Sequence, residues 1–249
     1  MNLLFKFQIK NCILFSMRPL EFDTENLLNL ESFSGTIPLF PLPNLVFFPN
    51  SLLPLHVFEP RYRQMVEDTI DSERIIGMVL LKPGWEKSYY DKPEIFSVGC
   101  MGRIVSIEVE KDGRSNIVLY GLKRIKIDEI FHDAPYRLAR VNLMEDIHET
   151  NEEAHQKRIF ELISRWNSIL GKEYKSHRIV VDFNLSLGTL TDSITPQVVS
   201  NVFRMQEFLE EARVVKRADM ILEQLETKLA ITSITSKRGN SILEKRHLN

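Results

Sequence analysis

Six histidines, His56, His132, His148, His155, His177 and His247, are the residues of this chain best suited to acid–base or metal chemistry. His148 and His155 flank a run of glutamates seven residues apart. On a helix that is two turns, or about 10 Å, too far for both to share one ion at about 2.1 Å. His56 lies in an extended run that His132-Asp133 would have to approach to form a pair, and a sheet or rim histidine with a backbone partner is the simpler expectation. No GxSxG elbow, SxxK dyad, HExxH pair or GxxxxGK[ST] loop occurs, and Gly171-Lys172 lacks the upstream glycine and following hydroxyl of a phosphate cradle. The expectation is therefore a chain with no catalytic residues, no metal and no cofactor.

The aromatic and basic residues offer binding chemistry instead. Trp85, Tyr89 and Tyr90 fall in a polar loop between two apolar runs, as rigid anchors for an apolar ligand or as packing against the fold. Arg103, Lys123, Arg124, Lys126, Arg137 and Arg140 fall on expected strands, where solvated faces account for them or an RNA-binding face gathers them. The net charge of −2 and pI near 6.3 supply no global field for nucleic acid or anionic lipid, so nucleic acid is not the expected partner.

The elements that would position these groups divide at about residue 146. Between 36 and 145 the pattern is mostly strand. Runs at 37–42 and 52–58 are punctuated by proline, which cannot donate to a ladder and belongs at sheet edges, strand starts or bulges. Pro60 suits the first turn of a helix over 60–71 that buries Tyr62, Met65, Val66 and Ile70. The continuous apolar run 74–82 reads as a strand buried on both faces, and Asp112-Gly113 marks a hairpin between 98–110 and 115–121. Alternating strands follow at 124–130 and 136–144. Beyond that, 151–170 has helical spacing and 178–190 has no assignable type. Thr195-Pro196 reads as a cap and first residue of a helical stripe that runs to Leu229 with a phase slip near 215–216.

Cys12 and Cys100 lie far apart and neither belongs to a CxxC pair, so no disulfide framework or zinc ribbon is expected and a reducing cytoplasm fits. No apolar run approaches the roughly 20 residues of a membrane span. Residues 1–16 are apolar but interrupted by Lys6, Gln8, Lys10 and Asn11, which argues against a signal peptide and makes Met17 the expected working start. The expected organisation is an extension over 1–35, a β-domain over 36–146, a helical domain over 147–235 and a flexible basic tail over 236–249.

Six of the eleven prolines crowd between Pro38 and Pro60, in a segment that also holds Phe40, Phe47, Phe48, Phe58 and Tyr62. The order is Pro38-Leu39-Phe40-Pro41-Leu42, then Phe48-Pro49, then Leu53-Pro54-Leu55-His56-Val57-Phe58-Glu59-Pro60-Arg61-Tyr62. With Val98-Gly99, the Asp112-Gly113 hairpin and Gly121…Arg124, it resembles the opening of the Lon protease N-terminal, substrate-binding domain family. The resemblance runs from Ile37 to about Leu229. It implies an α+β fold in which a PUA-like β pseudo-barrel precedes a helical bundle ending in a long helix. No ATPase or Ser-Lys protease module is present, so what the resemblance implies is a stand-alone, non-catalytic binder of unfolded or tagged polypeptide, working alone or with a protease or chaperone. The alternative it implies is a PUA-like RNA-binding module.

On that basis Pro38, Pro41, Pro49, Pro54, Glu59, Arg61, Tyr62, Gly99, Gly121 and Arg124 are expected to be structural, with Glu59, Arg61 and Arg124 forming an ion pair that ties the short helix to the barrel. Phe47, Phe48, Leu52, Leu53, Trp85, Tyr89, Tyr90 and Met101 are the expected peptide contacts, on apolar surface between the β-domain and the helices. Oligomeric state is left open.

Overall fold

The computed structural model describes residues 28–31, 33–87, 92–132, 134–170 and 177–246. It divides into two compact units, residues 1–144 and 145–249.

In the first unit six strands form one sheet: β1 (Thr36–Leu42), β2 (Leu52–Val57), β3 (Ile75–Leu80), β4 (Val98–Val109), β5 (Ser115–Phe131) and β6 (Arg137–Met144). The order is β2-β5-β4-β3-β1-β6, and β6 also pairs with β5, so five strands close into a ring with β2 attached outside it. β1 and β3 run parallel, because helix α1 (Pro60–Ile70) crosses back between them. The strand expectations at 115–121 and 124–130 merge into the single long strand β5, irregular in its pairing between Met101 and Gly102 opposite and again between Ile127 and Glu129. That irregularity lets one strand serve two neighbours: its first half pairs with β2 and β4, its second with β4 and β6.

Side chains directed into the ring, among them Ile37, Leu39, Ile75, Val79, Met101, Leu122, Ile125 and Ala139, form its core. β1 lies inside the strand order, yet Pro38 and Pro41 are tolerated. Residues 36–39 pair with β6 and residues 39–42 with β3, so each proline sits in a half-strand with one partner. Pro54 sits on β2, which pairs only with β5 among the described residues.

The connection between β1 and β2 is pressed onto a pair of glycines. Gly102 and Gly121 face each other across β4 and β5. A Cβ on Gly102 would stand 2.7 Å from the Phe47 ring, and one on Gly121 would collide with the Phe48 carbonyl and lie 3.1 Å from Pro49 Cα. The Asn50 amide donates to the Gly121 carbonyl (2.8 Å), the Gly121 amide to Ser51 (2.9 Å), and the Ser51 hydroxyl to Phe48 (2.6 Å). Phe47 and Phe48 are consequently buried.

The second unit holds helices α2 (Glu152–Ile169), α3 (Leu187–Val198), α4 (Val202–Glu210) and α5 (Val214–Arg246). Thr195-Pro196 does not begin a helix. α3 starts nine residues earlier, where the Ser186 hydroxyl accepts from the Thr189 amide, and Pro196 occupies its last turn. The real cap is Asn201, whose side chain accepts from the Phe203 and Arg204 amides (2.9 and 3.0 Å). The single stripe expected to continue to Leu229 breaks at 211–213, which accounts for the phase slip. There Arg213 hydrogen-bonds Glu211 and holds its carboxyl down at about 2. Residues 236–246, expected as a flexible tail, continue α5.

Residues 178–190, which have no assignable type in the sequence, comprise an irregular stretch and the first residues of α3, and within the stretch side-chain amides satisfy Ile179 and Val180. Asn167 exchanges two hydrogen bonds with Ile179, and Gln197 exchanges two with Val180.

Arg217 organises this unit. It is wholly buried and grips both Asp146 oxygens at 2.8 and 2.7 Å, with further bonds to the Thr191 hydroxyl and the Glu211 carbonyl. Asp192 lies 3.7 Å from its Nε. Gly188 leaves room for the pair, since a Cβ there would stand 2.5 Å from Asp146 Oδ2.

Two substitutions test these supports. Gly121→Ala meets backbone that cannot swing aside and should cost about 2–3 kcal/mol in urea unfolding. Arg217→Ala strands buried carboxylate and should cost about 3–5 kcal/mol by the same measurement.

Candidate functional site

α1 begins at Pro60, the position where a missing amide donor costs nothing, and Glu59 takes the capping position. The Glu59 side chain makes no cap bond. It pairs instead with Arg61 at 2.9 Å, within the first turn. Two contacts that fasten α1 to the ring are aromatic and phenolic. Tyr62 lies on Phe40 of β1 with centroids 4.2 Å apart, and the Tyr136 hydroxyl donates to Asp68 at 2.7 Å. Arg124 is buried in β5, in register with Cys100 and Met144.

The described residues among the eight expected peptide contacts differ in burial. Phe47 and Phe48 are buried under the β1–β2 connection and Met101 is fully buried in the ring. Their apolar character, which suggested a ligand, serves the core. Leu52 is exposed and Leu53 half-buried on β2; Trp85 is half-buried in a short 3₁₀ turn. Through Tyr120 and Arg103, Leu52 registers with Ile75, the first residue of β3, whereas Trp85 follows the end of that strand. Tyr89 and Tyr90 lie outside the described residues.

The basic positions thin out in the same way. Arg103, Arg124 and Arg137 are buried, and Arg140 pairs with Glu129 at 3.0 Å, so no face of six cations exists. His56, His148 and His155 have local partners, and His247 lies outside the described residues. His56 bonds Asn116 at 2.8 Å, near the start of β5, while His132 follows the other end of that strand. His148 bonds Glu152 and His155 bonds Asp219. Among the described residues no three His, Cys, Asp or Glu side chains converge as metal ligands, and no helix is long and apolar enough to cross a membrane.

Two features of the first unit remain open to a ligand. One is the outer edge of β2, flanked by exposed Leu52 and Phe58. The other is a narrow cleft beside α1, walled by Pro41, Leu81, Pro93 and Pro135 and lined by Tyr62, Tyr136, Arg61, Lys92 and Arg137. Burial pushes the Tyr62 hydroxyl up to about 12 and lowers the pKa of Arg137. The sequence pattern carried no sign of this cleft, because its residues come from five separate segments.

The described residues build a ring-forming sheet followed by helices. The chain belongs to the family of the ATP-dependent protease La (LON) substrate-binding domain, whose model matches residues 36–227. It is 26% identical over 219 residues to Lon protease of Anaeromyxobacter dehalogenans, covering 87% of this chain and 26% of that protein. It is 25% identical over 230 residues to Lon protease 2 of Myxococcus xanthus, covering 91% and 28%. The chain thus spans about a quarter of the length of these relatives. Among solved structures it is similar to the N-terminal domain of Mycobacterium avium complex Lon protease (TM-score 0.58, 14% identity, 77% of this chain and 98% of that one). A Lon N-terminal domain protein from Xanthomonas campestris gives a TM-score of 0.56 at 20% identity, covering 76% and 97%.

The aromatic contact holds α1 on the ring. Tyr62→Ala should lower stability by about 3 kcal/mol in thermal or urea unfolding. A loss under about 1 kcal/mol would contradict that role.

Proposed function

We propose that this chain is a non-catalytic polypeptide-binding protein, recognising unfolded or tagged protein segments in the cytoplasm. The observation that carries the reading is the substrate-binding family match, which extends across both compact units rather than over the sheet alone. On this reading the closed ring is the PUA-like pseudo-barrel and the helices are the bundle that follows it. The partners are protein substrates and, with them, a protease or chaperone that acts on what is held.

The outer edge of β2 supports the reading physically. Its backbone groups, which pair with no other strand among the described residues, can accept an extended segment as an added strand, while Leu52 and Phe58 offer apolar area at its two ends. Pro54 on the same strand limits how far such pairing can run, which favours short, weak and sequence-tolerant contacts over permanent association. Trp85, with Tyr89 and Tyr90 beyond it in sequence, is a second candidate contact region.

Fluorescence anisotropy with a labelled, permanently unfolded protein such as reduced carboxymethylated lactalbumin tests this. Binding at about micromolar concentration is expected, changing little between low and high salt, with Leu52→Asp weakening it about 5-fold. Affinity weaker than about millimolar would sink the proposal. Steep loss with salt, together with binding to RNA, would favour the nucleic-acid alternative.

A further inference from the structure

We infer that the cleft beside α1 is a carboxylate-binding site, and that its ligand is the free C-terminus of a polypeptide; this rests on the polypeptide-binding reading above. Arg137, the first residue of β6, is 8% exposed. Its one hydrogen bond among the described residues is from Nη2 to the Pro93 carbonyl, at 2.6 Å. No acidic side chain of the described residues lines the cleft. The other guanidinium nitrogens of Arg137 are not among the buried side-chain atoms left without a partner, so they keep access to solvent at the cleft. Here the remaining fork of donors is left for an anion supplied from outside, in the planar geometry that suits a carboxylate. The Tyr62 hydroxyl, which also has no hydrogen-bond partner among the described residues, lines the same space.

Size and charge select the ligand. The cleft is narrow, which suits a small planar group. Arg61 at the rim is offset by Glu59, which leaves Arg137 and exposed Lys92 to meet a single negative charge. Lys92, Pro93 and Arg137 also border a wider, open groove lined by Ile95 and Ile130 together with Lys82, Glu94 and His132. A carboxylate in the narrow cleft would place an adjoining apolar side chain in that groove. A terminal residue has this arrangement: the charged group and an apolar side chain share one carbon.

A fluorescein-labelled ten-residue peptide ending in leucine, as the free acid and as the amide, tests the inference by anisotropy on the full chain. The free acid should bind and the amide should bind about 10-fold more weakly, the worth of one charge-assisted hydrogen bond. Tyr62→Phe keeps the ring on Phe40, and Lys92→Gln changes an exposed side chain, so both should fold normally. Each should weaken the acid about 3- to 10-fold without affecting the amide. Equal affinity for acid and amide, with unfolded-protein binding intact, would overturn the carboxylate site and leave the polypeptide reading standing. Acetate or inorganic phosphate perturbing the cleft while neither peptide binds would overturn the C-terminus as ligand. Loss of both peptide and unfolded-protein binding would overturn the two proposals together.

Discussion

The contact on which the first unit depends is the approach of one backbone to another at Gly121. Strand β5 is shared by β2, β4 and β6, and it can be shared only where the chain has no side chain to hold the β1–β2 connection away. The Phe48 carbonyl and Pro49 rest on Gly121, the Phe47 ring rests on Gly102, and two backbone hydrogen bonds to Gly121 fix the register. Everything outward of that contact follows from it: β2 can add to β5, α1 can begin at Pro60, and Phe40 can meet Tyr62. The proline-rich segment is therefore a piece of scaffold whose rigidity matches a fixed backbone surface.

The helical unit is held by a different kind of contact. Arg217 is buried to completion, so its charge must be answered inside, and Asp146, Thr191, Asp192 and a carbonyl of the α4–α5 corner answer it. Such a network specifies an arrangement more than it adds net stability, because several donors must meet several acceptors at once. The β-unit relies on close approach and the helical unit on charge complementarity.

Much of the fold was legible in the sequence where local chemistry decided the outcome. Pro60 marked the first residue of α1, Asp112-Gly113 marked the turn where Gly113 takes a φ of +80°, and apolar spacing marked α2. Elements whose hydrogen bonds come from distant side chains were not legible. The stretch around Ile179 and Val180 has no periodicity of its own because Asn167 and Gln197 satisfy those two residues. Thr195-Pro196 carried a misleading cap signal, since a proline in the last turn of a helix looks like one in the first. The burial of Phe47, Phe48 and Met101 was not legible for a simpler reason: such residues are apolar whether they meet a ligand or a core. The cleft at Arg137 was hidden because a buried arginine on a strand has the same one-letter neighbours as a solvated one.

The way the ring closes has a consequence for how the protein is made. Thr36 of β1 finds Arg140 of β6 more than a hundred residues downstream, and the parallel partner of β1 is itself some forty residues away. A ribosome adding about 5–20 residues per second leaves β1 waiting for seconds before its last neighbour is synthesised. During that interval an apolar, proline-studded strand has no lasting place to pair, and the prolines that limit its laddering in the finished ring also limit its pairing with other nascent chains.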